Sequence, residues 1–412
     1  MRLVIVSAVF PPEPLTSART SADLAREMAT RGHSVTVIAP YPNRPSGVLV
    51  EGVSRSWHQC RMQDGYKLEH CWHLLSRTSR MLSRMMENLS FGITSSIRLL
   101  SLGRYDLVYL NTWPVVSQCL NLMVLRLRRI PVICCVQDIY PESLTNKDIL
   151  TSESLLAKAI RAIDAWVLRH SARVSTLSPE MREYLIASRR LSARLTMYFP
   201  NWLDGGEYSD GLDKNGAFRQ KHQIAPNQFV AMFAGSLTMS ARPQMYVEVA
   251  ARLATLGRQD IVIVIIGDGS MRNRLEELIR QKGLKNIRLI FPLISSEVPA
   301  VQAAADVLLL ALSGNTTQNA APSKQISYMF SGRPIVASIS KESNASALIR
   351  RARCGFVLPP DDGDAVTSLL CQLSENRVEL ETLGRNGKSY AIENFSRTHV
   401  LPRVADLLEE MV

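Results

Sequence analysis

Three polar side chains that could hold an anion stand close together in APSKQISYMFSGRPIVAS, residues 321–338: Ser323, Lys324 and Ser327. Pro322 and Ser323 mark a helix start, and Gly332 followed by Pro334 marks its stop. Ile326, Met329 and Phe330 share one helical stripe, which leaves the first turn and the opposite face open to a ligand. Unpaired amides in a first turn attract anions, so a diphosphate could rest there. The same stretch also reads as an ordinary helix-to-strand step of an α/β sheet.

A second group lies at PVICCVQDIYPES, where an apolar strand (131–138) delivers Gln137, Asp138 and Glu142 to its carboxyl end. Open parallel sheets bind ligands along that edge. Asp138 could orient a substrate hydroxyl or take its proton, and an aspartate closing the next turn explains it equally. Neither H-x-H nor D-x-D occurs at a strand end, so no metal is expected. Asp361, Asp362 and Asp364 read as the cap of the following helix. The loop after the first strand, PPEPLTSARTS, lacks G-x-G-x-x-G, which disfavours a nicotinamide or flavin cofactor.

These groups need strands and helices to carry them. RLVIVSAVF, HSVTVIAP, a stretch near Lys67–Leu74, DLVYLN, PVICCVQD and ARVSTLS read as strands, with helices between them and RLTMYFPNWLD closing the run. The alternation resumes with FVAMFAGSL, DIVIVIIGDG, IRLIFP, DVLLLAL, PIVAS and GFVLPP. Two doubly wound, Rossmann-like α/β domains facing each other follow from this, at 1–200 and 201–395, with a hinge over Pro200–Tyr208. A length of 412 residues suits two cores of roughly 200 each.

Composition narrows the setting. Seven cysteines without a C-x-x-C pair argue against a disulfide or zinc framework and for a reducing cytoplasm. Neither a signal peptide nor a transmembrane span is expected, since Leu120–Cys135 is broken by Arg126, Arg128 and Arg129. Residues 1–200 carry 25 Lys and Arg against 15 Asp and Glu, leaving 23 against 22 beyond, so nearly all of the +11 charge sits in the first half. That asymmetry points to an anionic partner, either nucleic acid, an acidic membrane or a phosphorylated substrate. No nucleic-acid-binding motif accompanies it. In His73–Gly92, Arg77, Arg80 and Arg84 share one helical face while Leu82, Met85, Met86 and Leu89 cluster on another. This is either an interfacial helix or a surface helix packed on its own sheet with solvated arginines.

FPPEP with LAREMATRGHSVTVIAPYPNRPSG, VQDIYPES, FPNWLD, FAGSL, IIGDGSMRNRL, PSKQISYMFSGRPIVAS and CGFVLPPDD, in this order and spacing, resemble the retaining GT-B glycosyltransferases of family 4. Within them, the chain is similar to the bacterial group that assembles O-antigen, colanic-acid and related exopolysaccharide units. The resemblance implies a nucleotide-diphosphate sugar held by the second domain, an acceptor held by the first, and transfer with retained configuration and no cofactor. It also implies a terminal helix (396–412) crossing back to the first domain, and hinge closure around substrate. Growing charge on the departing diphosphate needs cations and amides aimed at it. Lys324, the amides at Ser323 and Lys324, Ser327 and Arg242 after FAGSL are the candidates, although Arg242 also fits a solvated surface arginine. Gly235 would let the backbone approach the ligand beside Ser236, while Gly267 and Gly269 shape a tight turn flanking the nucleotide.

Two departures stand out. Many relatives carry two glutamates eight positions apart, where this chain has positions near Asn319 and Ser327. Many also end the strand matching PVICCVQD in histidine, where this chain has Gln137 followed by Asp138. Hydroxyl and amide groups can still bond a ribose or sugar, and the leaving phosphate can serve as base. A polyprenyl-diphosphate-linked or glycan acceptor at an anionic membrane is the implied setting. The alternatives are a catalytically silent GT-B subunit that binds a nucleotide or partner, and a GT-B sugar-nucleotide epimerase.

Overall fold

The computed structural model describes residues 1–44, 47–76, 81–111, 115–146, 149–208, 216–312 and 323–412. They divide into two compact units, Met1–Trp202 with Thr398–Val412, and Leu203–Arg397.

The first unit is built on an eight-stranded sheet: β1 Arg2–Ser7, β2 Ser34–Pro40, β3 His58–Gln63, β4 Tyr66–Cys71, β5 Leu107–Asn111, β6 Val132–Val136, β7 Arg173–Thr176 and β8 Thr196–Tyr198, in the order β3-β4-β2-β1-β5-β6-β7-β8. All neighbours are parallel except β3 and β4. β5 and β6 are buried throughout, as strands with helices on both faces must be. Polarity hid β3 from the sequence reading, because HQCRMQ is exposed along nearly its whole length. Its signal was the turn that follows: Asp64 and Gly65 both have positive φ, 47° and 84°, as a two-residue hairpin demands. Serines cap the flanking helices: Ser154 accepts from the Ala157 amide before Leu155–His170, and Ser178 from Met181 before Pro179–Arg189.

Residues 398–412 complete this unit. From the helix Arg397–Glu410, Val400, Leu401, Val404, Ala405 and Leu408 join one core with Leu3, Ile5, Val35 and Val37. On its rim, Arg31 Nη1 lies 2.6 Å from Asp406 and 3.1 Å from Glu409.

The helix Met81–Ser101 differs from its sequence reading. Arg77 and Arg80 lie outside the described residues. Arg84 turns inward and pairs with the buried Glu87 at 2.8 Å, and Arg98 does the same with the buried Glu69. Its outward row is therefore apolar, not basic.

The second unit has six parallel strands, β9 Phe229–Ala234, β10 Ile261–Ile266, β11 Ile287–Ile290, β12 Val307–Ala311, β13 Ile335–Ser338 and β14 Gly355–Leu358, in the order β11-β10-β9-β12-β13-β14. Core side chains pack on both faces of this sheet. Asp362 caps the helix Gly363–Glu375 by accepting from the Ala365 amide at 2.8 Å.

Candidate active site

Strand order in the second unit reverses between β9 and β12, and ligands of open α/β sheets bind beyond the carboxyl ends at such a reversal. β9 hands over to Gly235 and Ser236 there, and the next described element after β12 is the helix Ser323–Phe330. Tyr328 ties the two together. Its buried hydroxyl accepts from the Ala234 amide at 2.9 Å and donates to the Ala234 carbonyl at 3.1 Å. One turn earlier, Lys324 is laid across the end of β9, with Nζ 3.9 Å from the centre of the Phe233 ring.

Glycine makes that placement possible. A Cβ on Gly235 would sit 2.5 Å from Lys324 Cε and 2.9 Å from Nζ, and the residue has φ 144°. Gly267 also has φ 144°, and its missing Cβ would fall on the Gly235 carbonyl. The space at Gly235, expected to let a ligand approach its backbone, is also the space the lysine side chain needs. Gly235→Ala should therefore push Lys324 off the ring and raise the donor KM at least about tenfold, the worth of one charge-assisted contact. A steady-state donor titration with an unaltered KM would separate Lys324 from donor binding.

Lys324 has no ion pair among the described residues, and burial pushes its ammonium from the usual 10.5 down to about 7. A cation withdrawn from water without an anion is unfavourable; the Phe233 ring face offsets this only in part, and the positive end of the helix dipole opposes the charge. A diphosphate would supply the missing negative charge.

The remaining predicted residues of this unit divide. Ser236 is exposed directly after Gly235, and Ser323 opens the helix, its side chain lying outside the described residues. Ser327 is not available: its Oγ lies 2.6 Å from Gln302 Nε2 and 3.0 Å from Oε1, and the Tyr208 hydroxyl donates to it at 3.2 Å. Gln302 is buried and needs that partner, so the hydroxyl serves the fold. Arg242 forms an exposed ion pair with Asp361 at 2.7 Å and is not brought to Lys324 by any described contact. Asn319 lies outside the described residues. Phe233, Tyr328 and Gln302 were missed by sequence reasoning, because each acts through a partner 25 to 94 positions away.

In the first unit the reversal falls between β1 and β5, and polar side chains gather at that edge. Ser7 and Ser21 share a hydrogen bond of 2.9 Å, and Asn111 Nδ2 donates to Ser21 at 2.7 Å. Gln137 Nε2 donates to Asn111 Oδ1 at 2.9 Å, and Gln137 Oε1 accepts from Asn201 at 3.3 Å. Gln137 thus positions the loop instead of offering a free amide, and the half-buried Asp138 follows it. Burial, with the Asp138 charge adding to it, pushes the Tyr140 phenol up. Glu142, grouped with these by sequence, turns into the fold. Its carboxylate lies 2.6 Å from Arg189 and accepts from the Tyr184 hydroxyl at 2.9 Å.

A lysine held at a sheet's switch point beside a helix start is suited to a phosphorylated donor. Residues 16–202 match the glycosyl transferase 4-like domain, and residues 214–390 match glycosyl transferases group 1. The chain belongs to the family 4 glycosyltransferases. This glycosyltransferase is 22% identical to the putative colanic acid biosynthesis glycosyl transferase WcaI of Escherichia coli K12, over 87% of this chain and 93% of that one. It is also 22% identical to the UDP-Gal:α-D-GlcNAc-diphosphoundecaprenol α-1,3-galactosyltransferase of Escherichia coli, over 78% and 79%. The structure of Anabaena Alr3699/HepE in complex with UDP-glucose aligns over 100% of both chains, with TM-score 0.71 and 16% identity. The glycosyltransferase has the GT-B fold.

Proposed function

We propose that this glycosyltransferase moves a hexosyl or N-acetylhexosaminyl group, with retained configuration, from a uridine-diphosphate sugar to a polyprenyl-diphosphate-linked or glycan acceptor in bacterial surface polysaccharide synthesis. The observation that carries this reading is Lys324, unpaired among the described residues and laid across Gly235. As the bond between the sugar and the diphosphate breaks, charge grows on the phosphate oxygens, and the ammonium and the amides of the Ser323–Phe330 helix start stabilise it. The acceptor hydroxyl adds to the anomeric carbon on the face the diphosphate leaves, and its proton passes to the departing phosphate. In the first unit Asp138, half-buried at the carboxyl edge of the sheet, is assigned to the acceptor hydroxyl.

Uridine as the base is supported by HepE, solved with UDP-glucose, and by the galactosyltransferase, whose name carries both a UDP donor and a diphosphoundecaprenol acceptor. All seven cysteines are free, which agrees with a cytoplasmic site of action. No helix among the described residues is long and apolar enough to cross a membrane, so a lipid-linked acceptor would be met at the surface.

The test is a thermal-shift panel of uridine, guanosine and thymidine diphosphates, followed by transfer to a synthetic polyprenyl-diphosphate glycan with the product's anomeric configuration read by NMR. Uridine diphosphate should raise the midpoint most, and the product should keep the donor's configuration. Binding without turnover would favour the silent subunit, and an isomerised sugar the epimerase. Because Lys324 and the helix amides supply the stabilising charge, excess EDTA should leave the transfer rate within about twofold of its value.

A further inference from the structure

The helix Met81–Ser101 turns an apolar row to solvent along its length: Leu82, Met86, Ile93, Ile97 and Leu100 are 45–69% exposed. Beside it, the helix Val115–Leu127 shows Met123 at 51% and Leu127 at 83%. The seam between the helices is made of small and polar groups. A Cβ on Gly92 would lie 2.8 Å from Ser117 Cα, and Ser95 and Ser96 both donate to Asn121 Oδ1, at 3.0 and 3.1 Å. Phe91, Leu99, Leu122 and Leu125 are buried beneath, so the outward apolar rows come in addition to the packed face that a water-facing helix pair needs.

Charge narrows the occupant. Residues 81–130 contain Arg84, Arg98, Arg104, Arg126, Arg128 and Arg129 against only Glu87 and Asp106. Both acids are already engaged, Glu87 buried with Arg84 and Arg44, and Asp106 with Arg2. Arg104, Arg126 and Arg129 are exposed and have no ion pair among the described residues. A second copy related by a two-fold axis would bring like charges together, whereas an anionic bilayer complements both the apolar rows and the arginines.

We propose that the outward faces of these two helices form a docking surface that lies in the interface of an anionic lipid bilayer, with Arg104, Arg126 and Arg129 among the headgroups. The choice of a bilayer also rests on the lipid-linked acceptor of the proposed function. Of the basic face expected from sequence, Arg84 points into the unit while Arg77 and Arg80 lie outside the described residues, and the contact is made by aliphatic side chains of two helices.

The experiment is flotation of the full chain with vesicles of phosphatidylglycerol and phosphatidylethanolamine, and separately of phosphatidylcholine. The protein should float with the anionic vesicles and release in high salt. Ile93→Asp combined with Ile97→Asp should lower the bound fraction at least about tenfold, while circular dichroism and the uridine diphosphate melting shift stay unchanged. Arg126→Glu with Arg129→Glu should weaken binding to anionic vesicles only. Flotation kept in a chain that transfers no sugar still supports the docking face, because vesicle binding is read without the reaction. Equal flotation of the double aspartate variant, or equal binding to phosphatidylcholine, overturns the proposal. So does a sedimentation-equilibrium dimer that this variant splits in a protein that never floats, which would assign the face to a second copy.

Discussion

Replacing Lys324 with alanine should slow sugar transfer at least about tenfold while the fold is kept, because one charge-assisted contact to the leaving diphosphate disappears. The geometry makes the effect specific. Lys324 reaches its place through Tyr328 on the Ala234 backbone and through the absent side chain of Gly235, and neither constraint depends on the ammonium. The pH dependence carries a second signature. Burial pushes the ammonium down to about 7, and a bound diphosphate must raise that value. Above pH 7 donor binding therefore takes up a proton, and the donor Kd should rise about tenfold per pH unit until the pKa of the complex is reached. Calorimetry across pH 6 to 9, in buffers of different ionisation enthalpy, reads both the slope and the proton. The Lys324→Ala variant should show neither.

Stability moves the other way. The unfolded lysine holds its proton to about 10.5 while the folded one releases it near 7, so between those values the unfolded state binds more protons and stability rises with pH. Substituting Lys324 by methionine removes this penalty and should raise the melting temperature of the ligand-free protein by a few degrees, at roughly 2–4 °C per kcal/mol for a unit of this size. Unchanged turnover in the alanine variant would remove Lys324 from the site.

Arg189→Leu should cost the first unit about 3–5 kcal/mol, the usual consequence of removing one partner from a buried ionic cluster. Arg189 is fully buried, with Nη2 2.6 Å from Glu142 and 2.7 Å from the Tyr140 carbonyl, and Nε 2.7 Å from Asp164. Two carboxylates share one guanidinium. Burial already pushes Asp164 up to about 6, while for Glu142 the Arg189 and Tyr184 hydrogen bonds outweigh burial and hold its carboxyl low. Without the arginine both carboxyls would titrate above their unfolded values, so the folded state would bind more protons and the variant would lose stability as pH rises. Urea melts at pH 5 and pH 8 should show the larger deficit at pH 8. A combined Arg189→Leu, Glu142→Leu and Asp164→Leu variant should recover most of it, since no buried charge remains unpaired. Equal deficits at the two pH values would mean that lost packing dominates.

How much of this was legible in the sequence depended on whether the deciding contact was local. DIVIVIIGDG announced β10 because a run buried on both faces carries its own pattern, and Ile261–Ile266 is buried throughout. The helix bearing Lys324 was legible from Pro322 and Gly332, and the cap at Asp362 from its residue type. What Lys324 touches was not, since Gly235 and Phe233 come close only once β9 and β12 are neighbours. Ser327 shows the same gap in reverse. Its position on the helix suggested a ligand-facing hydroxyl, yet the buried amide of Gln302 claims it from another element. On the first unit's long helix Arg84 was misplaced, because amphipathicity fixes two faces without saying which one meets the sheet. Buried Glu69 and Glu87 decide that by drawing Arg98 and Arg84 inward.

The return of Thr398–Val412 to the core of the amino-terminal unit also shapes how the protein is made. On the ribosome, Leu3, Ile5, Val35 and Val37 wait for Val400, Leu401 and Leu408 while all of Leu203–Arg397 is synthesised, roughly 10–40 s at ordinary elongation rates. The later unit can close its own core in that interval. The portion translated first is thus finished last, and cutting the gene after Trp202 would express a sheet that lacks one of its covering helices.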